Sequence, residues 1–116
     1  MKKIIIIGAG AMGSAFAVPC LENQNDVTLV GTHLEDDFIN KIQSNNNFHP
    51  ALNIELPSKL KVEKFEKLKS ILKEGIDIIV AGVSSVGIEW FVKQITATYK
   101  KNLPIILLTK GLAIED

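Results

Sequence analysis

The stretch 4-IIIIGAGAMGSAFAVPC-20 decides the fold. Its four isoleucines read as a buried strand. Gly8-Ala9-Gly10-Ala11-Met12-Gly13 follows at once and opens an apolar helical run that extends to about Asn23. A Gly-x-Gly-x-x-Gly motif alone is a weak signal, but here it has a strand directly before it and a helix directly after it. In that setting each glycine has a task. Gly8 permits a tight exit from the strand, Gly10 lets the backbone approach a pyrophosphate, and Gly13 lets the helix pack closely on the sheet. The free N–H groups at the helix start, with the positive end of its dipole, then face the anion. The competing reading, a glycine turn without a ligand, has the strand and helix context against it. Pro19 removes the hydrogen bond to Ala15 and is expected to kink the helix about two turns past the phosphate site. Every binding N–H lies upstream of it.

The 116 residues suit one domain with a real core; 47% are hydrophobic, and 13 basic residues balance 13 acidic ones. That balance gives no electrostatic footprint for nucleic acid or an anionic membrane surface. No apolar run approaches the roughly 18 residues of a spanning helix. The N-terminal lysines and apolar run resemble a signal peptide, but Gly8 ends the run short of the roughly 7–15 residues an h-region needs. The expected location is therefore the cytoplasm. One cysteine, Cys20, allows no intrachain disulfide or thiolate cluster and reads as a small core residue. Every basic residue other than histidine is lysine, so the chain has no guanidinium clamp.

Outward from the opening stretch, apolar runs alternate with amphipathic ones. Lys3–Ile7, Val27–Val30, Leu60–Val62, Ile76–Ala81 and Leu103–Leu108 read as strands. Helical spacing appears over Leu34–Ser44, at Phe65, Leu68, Ile71 and Leu72, and at Ile88, Phe91, Val92, Ile95 and Tyr99. Asn45–Pro57, with its asparagines and prolines, is expected to be an irregular loop. The alternation predicts an α/β fold: a Rossmann-type doubly wound, mostly parallel sheet of five or more strands with helices on both faces. The expected strand order is 3-2-1-4-5, with ligands outside the carboxyl ends of the strands, at the switch between the first and fourth. Trp90 points away from the apolar stripe of its helix, toward either solvent or a partner surface. The chain stops just after the fifth strand, as a fragment would.

The second strand leads into Gly31-Thr32-His33, with no carboxylate before Glu35. Thr32 and His33 can bond a ribose or a 2′-phosphate, so NAD and NADP both remain open, with a slight lean to NAD. After the fourth strand, Ala81-Gly82-Val83-Ser84-Ser85-Val86-Gly87 allows close approach of a cofactor. Ser84 can bond it, or Ser84 or Ser85 can cap the next helix. Lys110, at the same sheet edge, can meet a phosphate or a developing negative charge.

Together, "IIGAGAMGSAFAVP", "VTLVGT", "NNNFHPALNIELP", "AGVSSVG" and "LLTKGL" resemble the N-terminal domain of NAD(P)-dependent glycerol-3-phosphate dehydrogenases along essentially the whole chain. The specific matches are Asn45, Phe48, Pro50, Leu56 and Pro57 in the long loop, and Thr109-Lys110-Gly111 at the end. The resemblance implies that residues 1–116 are a dinucleotide-binding domain whose helical substrate and catalytic domain lies outside the chain. It implies hydride transfer between a nicotinamide cofactor and dihydroxyacetone phosphate or sn-glycerol 3-phosphate, a step toward phospholipids. Gly8, Gly10, Ala11, Met12 and Gly13 would lie along the pyrophosphate and nicotinamide side, with Thr32 and His33 near the adenosine ribose. Phe48 would help close the site, Val83 and Ser84 would line the cofactor, and Lys110 would contact both cofactor and phosphorylated substrate. No residue here takes the role of catalytic base. The parent enzyme is compatible with a homodimer.

Some positions depart from the family pattern. Ala11-Met12 replace a frequent Ser/Thr-Trp pair, Ser84 stands where many members have proline, and an arginine often found after the second strand is missing. These bear on cofactor preference. The rivals are a ketopantoate reductase, which shares an "IGAGAMGS" loop but is expected to end its fifth strand in Asn-Gly, and a non-catalytic dinucleotide-binding or redox-sensing module.

Overall fold

β1 (Lys3–Ile7) lies at the centre of a five-stranded parallel sheet, between β2 (Asp26–Val30) and β6 (Ile78–Ala81). The computed structural model of the chain describes residues 2–50, 52–82, 89–90, 93 and 104–108, without the side chains of Ala11, Met12 and Leu107. The outer strands are β5 (Lys61–Glu63) beside β2 and β7 (Ile105–Leu107) beside β6, both parallel. The order β5-β2-β1-β6-β7 is the expected 3-2-1-4-5 once the strands of a separate hairpin are set aside.

The isoleucine run buries both sides of β1, and its alternation sorts the core into two clusters. Ile4 and Ile6 pack with Val27, Leu29, Val80, Ala17, Ile39 and Ile42, under α1 (Ala11–Glu22) and α2 (Asp36–Ser44). Ile5 and Ile7 pack on the opposite face with Val30, Ile79, Ala81 and the α3 (Leu68–Lys73) residues Leu68 and Leu72. Each fully buried isoleucine contributes about 1.5–3 kcal/mol. A strand buried on both faces is apolar along its buried length, as Ile4–Ile7 of β1 are.

Several local expectations change. Asn45–Pro57 contains a two-stranded antiparallel hairpin, β3 (Phe48–His49) with β4 (Ile54–Glu55), in place of an irregular loop. Asn46, Asn47 and Asn53 adopt φ of 56°, 64° and 56°, a left-handed conformation that asparagine tolerates better than most residues, and this lets the short hairpin close. Leu34 falls outside α2 and is 82% exposed. As expected, Pro19 lies inside α1, which runs on to Glu22, and its carbonyl accepts bonds from the Asn23 backbone and side chain. Cys20 is half-buried beside the first cluster, and burial pushes its thiol up. No helix among the described residues is long and apolar enough to cross a membrane.

Candidate functional site

The three central strands all leave the sheet on glycine: Gly8 after β1, Gly31 after β2 and Gly82 after β6. Gly8 has φ 110°, a conformation that favours glycine, and its N–H still extends the ladder to the Val30 carbonyl at 2.8 Å. A Cβ on Gly13 would sit 2.6 Å from the Gly8 carbonyl oxygen, and one on Gly82 would sit 2.9 Å from the Gly13 Cα. Helix α1 therefore lies directly on the exits of β1 and β6, as expected for the third glycine of the motif.

Gly10 is different. A Cβ there would meet nothing within 4 Å. It is the N-cap of α1, with no side-chain cap and no acidic residue in the first turn. The helix closes its first bond from the Ser14 N–H to the Gly10 carbonyl at 3.1 Å, so the N–H groups before Ser14 have no partner within the helix. An uncapped helix start beside open space suits a bound anion, and the donors fit the pyrophosphate of a dinucleotide.

Between Gly8 and Gly10, Ala9 is fully buried. Its N–H donates to Glu35 Oε1 at 2.9 Å, and its carbonyl accepts from Ser14 Oγ at 3.1 Å and faces His49 Nε2 at 2.8 Å. Glu35 Oε1 also accepts the Thr32 N–H at 2.8 Å. The chain turns after β2 with the Glu35 N–H on the Thr32 carbonyl at 3.0 Å, which brings this carboxylate back to the strand end. Glu35 was passed over in the sequence because it follows β2 too late; the turn supplies the difference. Its spacing after Gly13, close to the usual interval of about 20 residues, was the available signal.

Thr32 and His33 stand at the exit of β2. Thr32 Oγ1 accepts the Leu34 N–H at 3.3 Å, and the exposed His33 ring lies 4.7 Å from Trp90 and 6.2 Å from Phe65. Trp90 is half-buried, 5.3 Å from Phe65 on the second cluster, so it covers the molecule's own core. Phe48 lies on the hairpin and is partly exposed, while its neighbour His49 turns inward. His49 is the second residue the sequence did not flag. Val83, Ser84 and Lys110 lie outside the described residues. Among the described residues no group of three or more His, Cys, Asp or Glu side chains could hold a metal.

A family model described as the NAD-dependent glycerol-3-phosphate dehydrogenase N-terminus matches residues 3–116. The chain belongs to this family. It is 36% identical over 115 residues to an NADP(+)-dependent glycerol-3-phosphate dehydrogenase of Archaeoglobus fulgidus, covering 97% of this chain and 32% of that protein. Thus it spans about a third of the length of the curated relatives it matches. A glycerol-3-phosphate dehydrogenase structure from Coxiella burnetii superposes with TM-score 0.80 at 27% identity, over 97% of this chain and 34% of the other. A protein assigned as a 2-dehydropantoate 2-reductase, from Enterococcus faecalis, gives TM-score 0.64 at 26% identity, over 96% of this chain and 34% of the other. The family thus binds NAD or NADP on a Rossmann-like domain.

Proposed function

We propose that this chain is the cofactor-binding part of an sn-glycerol-3-phosphate dehydrogenase. The whole enzyme would transfer a hydride reversibly between a nicotinamide cofactor and dihydroxyacetone phosphate or sn-glycerol 3-phosphate, in the cytoplasm, for glycerophospholipid synthesis. The observation that supports this best is the uncapped start of α1 beside the open space at Gly10, in a member of this family. The bound nicotinamide supplies the hydride chemistry; the protein binds and orients. Gly8, Gly10 and Gly13 with the Ala11 and Met12 backbone would hold the pyrophosphate. Thr32, His33 and Glu35 would meet the adenosine ribose, while Val83, Ser84 and Phe48 would border the cofactor. Lys110 would bring positive charge to cofactor and substrate phosphate. The general base belongs to a further, helical domain, and a homodimer fits the same reading.

Glu35 favours NAD over NADP. A carboxylate at the end of β2 accepts from ribose hydroxyls and repels a 2′-phosphate, and the chain has no arginine to offset it.

Gly10→Val tests the cradle. The new side chain enters open space at a φ of −65°, which valine adopts, so the fold should lose no more than the roughly 1 kcal/mol of a poorer N-cap. NADH binding, read by energy transfer from Trp90 (the single tryptophan) and by calorimetry, should fall at least about tenfold. Unchanged affinity in a folded variant would rule out pyrophosphate at this loop.

A further inference from the structure

We propose that His49 is a positioning residue for cofactor binding, which aims the Gly10 N–H at the pyrophosphate by holding the Ala9 carbonyl. The proposal rests on the cofactor reading above. His49 is fully buried at the turn of the β3–β4 hairpin, with the Phe38 ring edge-on at 5.0 Å. The Leu52 N–H, which can only donate, lies 3.1 Å from Nδ1. Nδ1 must therefore be the bare acceptor, and the ring proton sits on Nε2. That nitrogen donates to the Ala9 carbonyl oxygen, 2.8 Å away and 40 residues back in the chain.

The consequence follows from peptide geometry. The Ala9–Gly10 peptide is trans, so its N–H points opposite to its C=O. With the carbonyl turned inward onto His49 and Ser14, the Gly10 N–H is turned away from both, at a residue whose Cβ position is open. Rotation of this peptide involves ψ of Ala9 and φ of Gly10, and glycine resists such a turn least of all residues. Directional bonds from outside the loop therefore decide which way the donor faces. Ser14 supplies one from α1; His49 supplies the shorter one, from the hairpin. Glu35 holds the preceding peptide by the Ala9 N–H. The hairpin thereby acts on the cofactor through Ala9, without touching it.

The two nitrogens can be separated by substitution. His49→Gln places an amide NH2 near the Nε2 position and restores only the donor to Ala9. His49→Asn places an amide oxygen near Nδ1 and restores only the acceptor for Leu52. His49→Leu keeps the apolar bulk and restores neither. On the full chain, with thermal unfolding measured in parallel, the Gln variant should bind NADH within about threefold of wild type, and the Asn and Leu variants at least about tenfold more weakly. Leu or Asn binding like wild type, or Gln weakened as much as Leu, overturns the proposal. Should the variants fail to fold, 15N shifts of the wild-type His49 ring still decide. A proton on Nε2, with the Gly10 amide resonance moving on NADH addition, supports the role; a proton on Nδ1, or an unmoved Gly10 amide, refutes it. A wild-type chain that binds neither NADH nor NADPH refutes the cofactor reading first, and this proposal with it.

Discussion

The ends of two adjacent strands, β1 and β2, are built on different principles at the carboxyl edge of the sheet. At the exit of β1 the backbone itself is packed, with Gly13 against the Gly8 carbonyl, Gly82 against Gly13, and Ala9 gripped by Glu35, Ser14 and His49. At the exit of β2, three rings, His33, Phe65 and Trp90, lie 4.7–6.2 Å apart, with no side-chain hydrogen bond on them among the described residues. Directional bonds and backbone contacts hold a donor array in one geometry, and a phosphate needs that. Ring contacts are satisfied by several offset and edge-to-face arrangements, and the apolar burial behind them is non-directional, so their members can resettle without much loss. The first end should be brittle to small changes and the second tolerant of them.

The largest effect should come from breaking the brittle end. In Gly13→Val the Cβ lands 2.6 Å from a backbone oxygen and 3.3 Å from Ile6 Cγ2, and neither can move without lifting α1 from the sheet. The expected cost is at the top of the overpacking range, about 3 kcal/mol, with thermal unfolding lowered by more than about 10 °C. Gly10→Val, three residues away, should cost no more than about 1 kcal/mol and lower unfolding by only a few degrees. Equal melting points for the two variants would show that the inner face of the loop is as open as the outer.

Trp90→Ala probes the tolerant end. Removing a half-buried indole from the second cluster should cost about 2 kcal/mol, and Trp90→Phe less than half of that, because the rings can resettle. Chemical denaturation of the two variants measures both. If Trp90→Phe costs as much as Trp90→Ala, the ring cluster is held as rigidly as the loop and the contrast fails.

This contrast also explains what could be read from the sequence. The isoleucine run, the glycine spacing and the alternation of strands and helices are local patterns, and they carried the strand order and the loop. The partners of Ala9 are not local. Glu35 lies 26 residues on and His49 lies 40, and each reaches Ala9 through one bond between segments distant in the chain. His49 was hidden further because Asn45–Pro57 has the composition of a loop. Its asparagines, at positive φ, are what fold it into a hairpin that turns one histidine inward. Trp90 is partly exposed, one of its two expected placements, but its ring partners were hidden for a related reason: the stripe of its own helix carries no information about Phe65 and His33, which come from other segments.

Glu35 joins the two ends, since Oε1 takes the Ala9 N–H from one and the Thr32 N–H from the other. Glu35→Gln keeps a carbonyl oxygen in the same place, so both bonds can persist, now without charge assistance. The expected loss of stability is small, about 0.5–1 kcal/mol, below either change above. The informative readout is cofactor choice. With the negative charge gone, the proposed repulsion of a 2′-phosphate at the exit of β2 is removed, while the glycine loop at the exit of β1 keeps its bond from the Ala9 N–H. The ratio of NADPH to NADH affinity, measured by calorimetry at low salt, should therefore rise several-fold, by about threefold or more. The direction matters more than the size. A ratio that stays fixed while both affinities fall would mean that Glu35 serves only to tie Ala9 to Thr32. A ratio that rises with NADH affinity held would mean that one carboxylate both braces the brittle end and selects the cofactor at the tolerant one.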